Sequence, residues 1–150
     1  RSFAARLNSL CQVKVSEAEN HARLQAGNVY IAPGNRHLKI VKIGVDFVCK
    51  LEDGPPVSSH KPSVDVLFHS VAESIGNRAV GVILTGMGKD GAEGLLKIRQ
   101  SGAKTIGQDE RSCVVYGMPK VAKTLGAVET ELPLAEIPKH MLQLCEKPLV

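Results

Sequence analysis

The sequence predicts an α/β fold: a doubly wound, mostly parallel sheet with helices on both faces and one antiparallel hairpin. Three observations carry this. From Val64 onward, apolar runs of strand length alternate with segments of helical period, the pattern of strand–helix–strand units. Ala79 to Leu84 (AVGVIL) is an apolar run without a polar break, as expected of a strand buried on both faces. His37 to Ile43 and Val45 to Leu51 flank Gly44, the spacing of a hairpin.

Taken in order, Phe3, Ala4, Leu7 and Leu10 share one helical face, so the chain opens in a helix. Val13 to Val15 reads as a short strand. Asn28 to Ala32 reads as a second, stopped by the turn residues Pro33-Gly34-Asn35. After the hairpin, Glu52 to Pro62 is polar and rich in proline, hence a loop. Ser63 is placed to cap a helix whose face is Val64, Leu67, Phe68, Val71 and Ile75. The strand Ala79–Leu84 leads to a helix over Asp90–Gln100, ended by Gly102. Lys104 to Gly107 is a strand, and Cys113 to Tyr116 a short apolar stretch. Met118 to Leu125 is a helix begun by Pro119 and stopped by Gly126. Ala127 to Glu131 reads as a strand, and Leu134 to Cys145 as the last helix.

A length of 150 residues suits one domain, and the shortage of aromatics (3%) means a core of Val, Ile, Leu and Ala. No apolar run reaches the length of a membrane span, so no membrane insertion is expected. The four cysteines lie far apart with no C-x-x-C, which argues for free thiols in a reducing, cytoplasmic compartment and against a metal clamp. The net charge of +4 is spread along the chain without a basic block. Nucleic acid is therefore not indicated, and a mildly basic surface suits an acidic protein partner. The chain begins Arg1-Ser2-Phe3 without Met, already helical in pattern, and is expected to be a processed protein or a piece of a longer one.

The chemistry concentrates in LTGMGKDG, Leu84 to Gly91. Gly86, Gly88 and Gly91 have the G-x-G-x-x-G spacing of a dinucleotide-binding turn, between a strand and a helix, with Asp109 and Glu110 following the next strand. The objection is Asp90: a carboxylate inside the loop would face the pyrophosphate. In the other reading, the loop lies at the carboxyl end of a strand, where doubly wound folds place their sites. Its glycines would then leave N–H groups able to hold an oxyanion, and Asp90 would orient a histidine. An aspartate at a helix start is also, in the ordinary case, simply a cap.

Four segments carry a resemblance: YIAPGNRHL (30–38), DGPPVSSHKPSVDVLFHSVA (53–72), AVGVILTGMGKDGAEG (79–94) and GQDERSCVVYGMPKVA (107–122). The chain resembles the catalytic domain of bacterial chemotaxis protein-glutamate methylesterases, the CheB type, over almost its whole length. The resemblance implies a doubly wound serine hydrolase that demethylates glutamate methyl esters on chemoreceptors, many members also deamidating glutamines. It implies a Ser-His-Asp triad whose aspartate is Asp90. Met87 would flank the cleft and offer its N–H to the oxyanion, with Gly86 and Gly88 as companions. No metal or organic cofactor is implied. The partners implied are methyl-accepting chemoreceptors and, through a receiver domain, the chemotaxis histidine kinase.

The family's nucleophile lies in a G-[AT]-S-x-G turn and its histidine in a Q-H-M-P-like turn, and neither occurs in residues 1–150. Nor does a receiver domain. The chain is thus expected to be a partial catalytic domain lacking its first strand units, with a non-catalytic receptor-binding fragment or pseudoenzyme as the alternative. Ser58, Ser59, Ser63 and Ser112, with His37, His60 and His69, are the only replacements of the right chemistry considered. Adjacent Ser59 and His60 rarely aim at one another, Ser63 is a cap, and His69 falls on its helix's polar side. Asp109 is expected to anchor a loop.

Overall fold

The computed structural model describes residues 2–146, with side chains from Phe3 onward. The elements run α1 (Ser2–Leu10), β1 (Lys14–Glu17), β2 (Asn28–Ile31), β3 (His37–Ile43), β4 (Asp46–Glu52), α2 (Val64–Ser74), β5 (Val80–Ile83), α3 (Ala92–Gln100), β6 (Lys104–Gln108), α4 (Met118–Thr124), β7 (Thr130–Leu132) and α5 (Ile137–Glu146). This is the α/β fold expected: parallel strands, helices and one antiparallel hairpin. Among the described residues the parallel strands form two separate groups, the pair β1-β2 and the triplet β5-β6-β7, with β3-β4 apart from both.

In the triplet, β6 is the middle strand and is buried from Thr105 through Gln108 on both faces. Ile83, Ala92, Leu95, Ala122 and Ala127 form one core between these strands and α3 and α4, with Phe68 of α2 packed against it. β5 differs from the expectation of a strand buried on both sides: Gly81 and Ile83 are buried, but Val80 and Val82 only half so. β5 has a neighbouring strand on one side alone, among the described residues.

The hairpin has its own core, Ala18, Leu38, Ile40 and Cys49, over which α2 lays Leu67, Val71 and Ile75. Residues 21–24 add to the β4 edge through His21 N–Cys49 O, Cys49 N–Ala22 O and Leu24 N–Phe47 O, each 2.8 Å. Such pairing removes the ladder groups that invite another strand. On the β3 edge, Ile40 N–H donates to Ser70 Oγ of α2 at 2.9 Å. α2 therefore stands between the hairpin and α3, and its N-terminus faces the end of β5.

Three local expectations shift. The run Ala127–Glu131 enters the sheet only at Thr130, because the Thr105 hydroxyl donates to Ala127 O and accepts from Glu129 N, taking those backbone groups out of the ladder. The last helix is preceded by a short 3-10 turn, Leu134–Glu136, and starts at Ile137, since Pro138 fits only a first helical turn. In α1, Ala4 is buried and Leu7 half-buried, but Phe3 and Leu10 of the same expected face are 63% and 73% exposed. No helix among the described residues is long and apolar enough to cross a membrane.

Candidate functional site

The site forms where β5 ends. After Ile83 the chain turns through Thr85–Asp90 and enters α3 at Gly91, which has φ 94°. Only a glycine suits that position, because a Cβ there would also lie 2.8 Å from Val64 Cγ1. The third glycine of the G-x-G-x-x-G spacing thus lets the loop press against the start of α2.

That approach delivers Asp90 to α2. Its carboxylate is 2% exposed. Oδ1 accepts the Ser63 hydroxyl at 2.8 Å and the Asp65 N–H at 3.0 Å, while Oδ2 accepts the Val64 N–H at 2.7 Å. Asp90 does cap a helix, but the neighbouring one: the N-cap residue of its own helix α3 is Gly91, which has no side chain to offer. The N-terminus of α2 supplies all three donors and turns the positive end of its helix dipole toward this buried side chain. A carboxylate has about four acceptor positions, and three are used, leaving one on Oδ2.

Ser63 caps α2 as expected, accepting the Val66 N–H at 3.4 Å. Its backbone N–H donates to His37 Nδ1 at 3.2 Å, and the other ring nitrogen of His37 lies 2.9 Å from Pro55 O. His37 therefore carries its proton on Nε2 and has both nitrogens occupied. The structure brings Asp90, Ser63 and His37 together, yet not as a triad: the hydroxyl gives its proton to the carboxylate, and the imidazole receives an amide instead. Asp65, unnoticed in the sequence, is buried beside them, accepting Gly94 N–H at 2.8 Å and Ser58 Oγ–H at 3.2 Å.

The remaining candidates scatter. His60 is exposed and bonds Ser58 O at 2.7 Å, with no contact to the Ser59 hydroxyl. His69 lines a groove of about 540 Å³ between α2 and the hairpin, on the far side of α2 from the β5 end. Ser112 is bound to Asp109, which receives its N–H at 3.0 Å and its hydroxyl at 2.7 Å, so Asp109 anchors the loop it begins.

On the solvent side of the loop, Met87 is 76% exposed and Gly88 is open. Gly86 is different from its companions. Its N–H donates to Val115 O at 3.1 Å, so it has no donor left for an oxyanion. The N–H groups of Met87 and Gly88 have no acceptor among the described residues. The facing loop ends in Tyr116, whose hydroxyl donates to Glu131 at 2.6 Å; burial first, then that carboxylate, push its pKa up to about 12. No cluster of metal-ligating side chains occurs among the described residues. Asp90, turned onto α2, occupies the loop interior where a pyrophosphate would need donors.

A family profile described as CheB methylesterase matches residues 1–141. A protein-glutamate methylesterase/protein-glutamine glutaminase of Agrobacterium fabrum is 59% identical over 96% of this chain and 41% of its own length. That of Salmonella typhimurium is 54% identical over 95% of this chain and 41% of its own. The chain thus spans about two fifths of the length of the curated relatives it matches. A crystal structure of the Thermotoga maritima CheB methylesterase catalytic domain superposes with a TM-score of 0.92 at 36% identity, covering 95% of this chain and 76% of that one. A strand-turn-helix that buries an aspartate and leaves two amides unspent lies within a sequence whose residues 1–141 match the family profile, at these identities to its members: the chain belongs to the CheB methylesterase family.

Proposed function

We propose that these residues are the C-terminal part of a serine-hydrolase catalytic domain that hydrolyses glutamate methyl esters, and glutamine side-chain amides, on chemoreceptors. The observation that carries this reading is Asp90: a buried carboxylate fixed by three donors, with one acceptor position open, beside the unspent amides of Met87 and Gly88. The gap between the β1-β2 pair and the β5 triplet, and the half-covered Val80 and Val82, support a neighbouring segment that completes the sheet and brings the serine and histidine.

In this scheme serine attacks the ester carbonyl while histidine takes its proton. Asp90 Oδ2 accepts the histidine N–H, fixing its tautomer and stabilising its charged form. The Met87 and Gly88 N–H groups hold the oxyanion of the tetrahedral intermediate. Histidine then gives the proton to departing methanol, and water cleaves the acyl-enzyme to glutamate. No cofactor takes part. The relatives, named for glutamate methylesterase and glutamine glutaminase activity, support both substrates. Upstream control by a histidine kinase through a receiver domain, and a cytoplasmic location, belong to the same proposal.

The test is a chimera in which this chain replaces its counterpart in the Salmonella typhimurium relative. It should demethylate receptor, and Asp90→Asn should lower turnover by up to ~10⁴-fold. The same variant also places an amide where Val64 and Asp65 need acceptors, costing roughly 1–3 kcal/mol of stability. Turnover must therefore be expressed per folded molecule. Full turnover in the folded Asn variant reduces Asp90 to a helix cap.

A further inference from the structure

Gln108 ends β6 with its side chain fully buried, an unusual place for a primary amide. Every polar atom of that amide is used. Oε1 accepts the Thr85 N–H at 2.7 Å; Nε2 donates to Ser112 O at 2.9 Å and lies 3.2 Å from Ser112 Oγ. One side chain thus joins the first residue of the β5 loop to the loop that follows β6.

From Thr85 the joint continues as a seam. The Thr85 hydroxyl donates to Val115 O at 3.0 Å and accepts Val115 N–H at 2.9 Å. Gly86 N–H donates to the same carbonyl, and Gly86 O accepts Met118 N–H at 2.8 Å. Gly117 closes the seam from the other side. A Cβ on it would lie 2.6 Å from Gly86 O and 3.1 Å from Gly88 N, so the two backbones touch with no room for a side chain. The seam stops there, and the N–H groups of Met87 and Gly88 are left over.

We propose that Gln108 is a positioning residue for the hydrolysis: through Thr85 it fixes the backbone that carries the two oxyanion donors. This rests on the function proposed above. The position asks for an acceptor toward Thr85 N–H and a donor toward Ser112 O, which a primary amide supplies and an ionised carboxylate, an acceptor only, does not. Fully buried behind Thr85, Gln108 does not meet substrate itself. An oxyanion donor contributes almost wholly to the transition state, so loosening its support lowers kcat rather than raising KM.

The experiment uses the full-length chimera with Gln108→Met, which keeps the volume and removes all three bonds. Amide hydrogen exchange should quicken at Thr85 and Gly86, and at Val115 and Met118 across the seam, whose amides are all bonded in it, and stay unchanged at Leu95 and Ile106. Receptor demethylation per folded molecule should fall about 10- to 100-fold in kcat at unchanged KM, less than the loss of a donor outright. Two results overturn the proposal. One is unchanged exchange at Thr85, Gly86, Val115 and Met118. The other is a variant that melts earlier yet turns over normally when folded, which makes Gln108 a stability residue only. An inactive wild-type chimera would instead sink the hydrolase reading, and with it any catalytic meaning of the brace.

Discussion

Asp90 was legible in the sequence as the chemically marked residue of its loop, but its partners were not. Helix caps are local signals, so Ser63 could be read as the start of α2. That the same hydroxyl reaches across 27 positions to Asp90, and that His37 receives the Ser63 amide, are tertiary facts with no local trace. Gln108 carries no local mark for a similar reason: nothing about a glutamine after a strand says both its ends will be used. Gly86 looked equivalent to Met87 and Gly88 as a donor until its amide was found bonded to Val115. Tyr116 gives a prediction at this scale. Its phenol is raised from 10.0 to about 12 by burial and the Glu131 carboxylate. The folded state therefore holds this proton more tightly than the unfolded chain. The stability it lends is fully present below pH 10 and lost as the pH climbs toward 12. In a Tyr30→Phe background, leaving Tyr116 as the one phenol, phenolate absorbance should rise only as the pH approaches 12, and Glu131→Gln should bring it earlier. A titration near pH 10 in the folded protein would mean that the hydroxyl is not held as described.

Elements with a strong period were recovered nearly to the residue: the two hairpin strands and α2 with its cap. The failures have identifiable competitors. Ala127 to Glu129 have strand-like side chains, but the Thr105 hydroxyl takes their backbone groups. The apolar stripe of α1 is real in the sequence, yet only Ala4 and Leu7 find cover. Periodicity reports which face could be buried, never what buries it. The α2–α3 crossing is a close helix–helix approach. A Cβ on Gly94 would stand 2.6 Å from Phe68 Cβ and 3.2 Å from Asp65 O, both fixed by α2. Gly94→Ala should therefore cost about 1–3 kcal/mol by overpacking, after the gain in helix propensity is outweighed. An unchanged denaturant midpoint would show that the helices can separate freely.

At the scale of the molecule the decisive feature is the divided sheet. The β4 edge of the hairpin is paired by residues 21–24, but among the described residues β5 has one unpaired side, Val80 and Val82 are only partly covered, and Leu84 just beyond the strand is exposed. An unpaired strand with apolar surface recruits another chain. Residues 1–150 alone are expected to self-associate, with a sedimentation coefficient that rises with concentration and a broad thermal transition. A concentration-independent monomer with a sharp melt would mean that the gap between the strand groups is sealed within this chain. The parallel character of the sheet was readable from strand–helix alternation because parallel units impose that rhythm. That first strand units are missing was implied by the resemblance alone, since hydrogen bonding between strands distant in sequence leaves no mark on the strands that remain.

The junction of Asp90 with α2 bears on how chains of this kind diverge. In the proposed scheme one side chain answers to two demands, orienting the histidine with one oxygen and seating a helix with both. If selection for turnover lapsed, selection for folding would go on holding the aspartate in place. A descendant that had lost its serine and histidine could thus keep the LTGMGKDG signature for many generations. Within the family, the presence of this aspartate is a record of the fold, and evidence of activity has to be sought in residues that the architecture could spare.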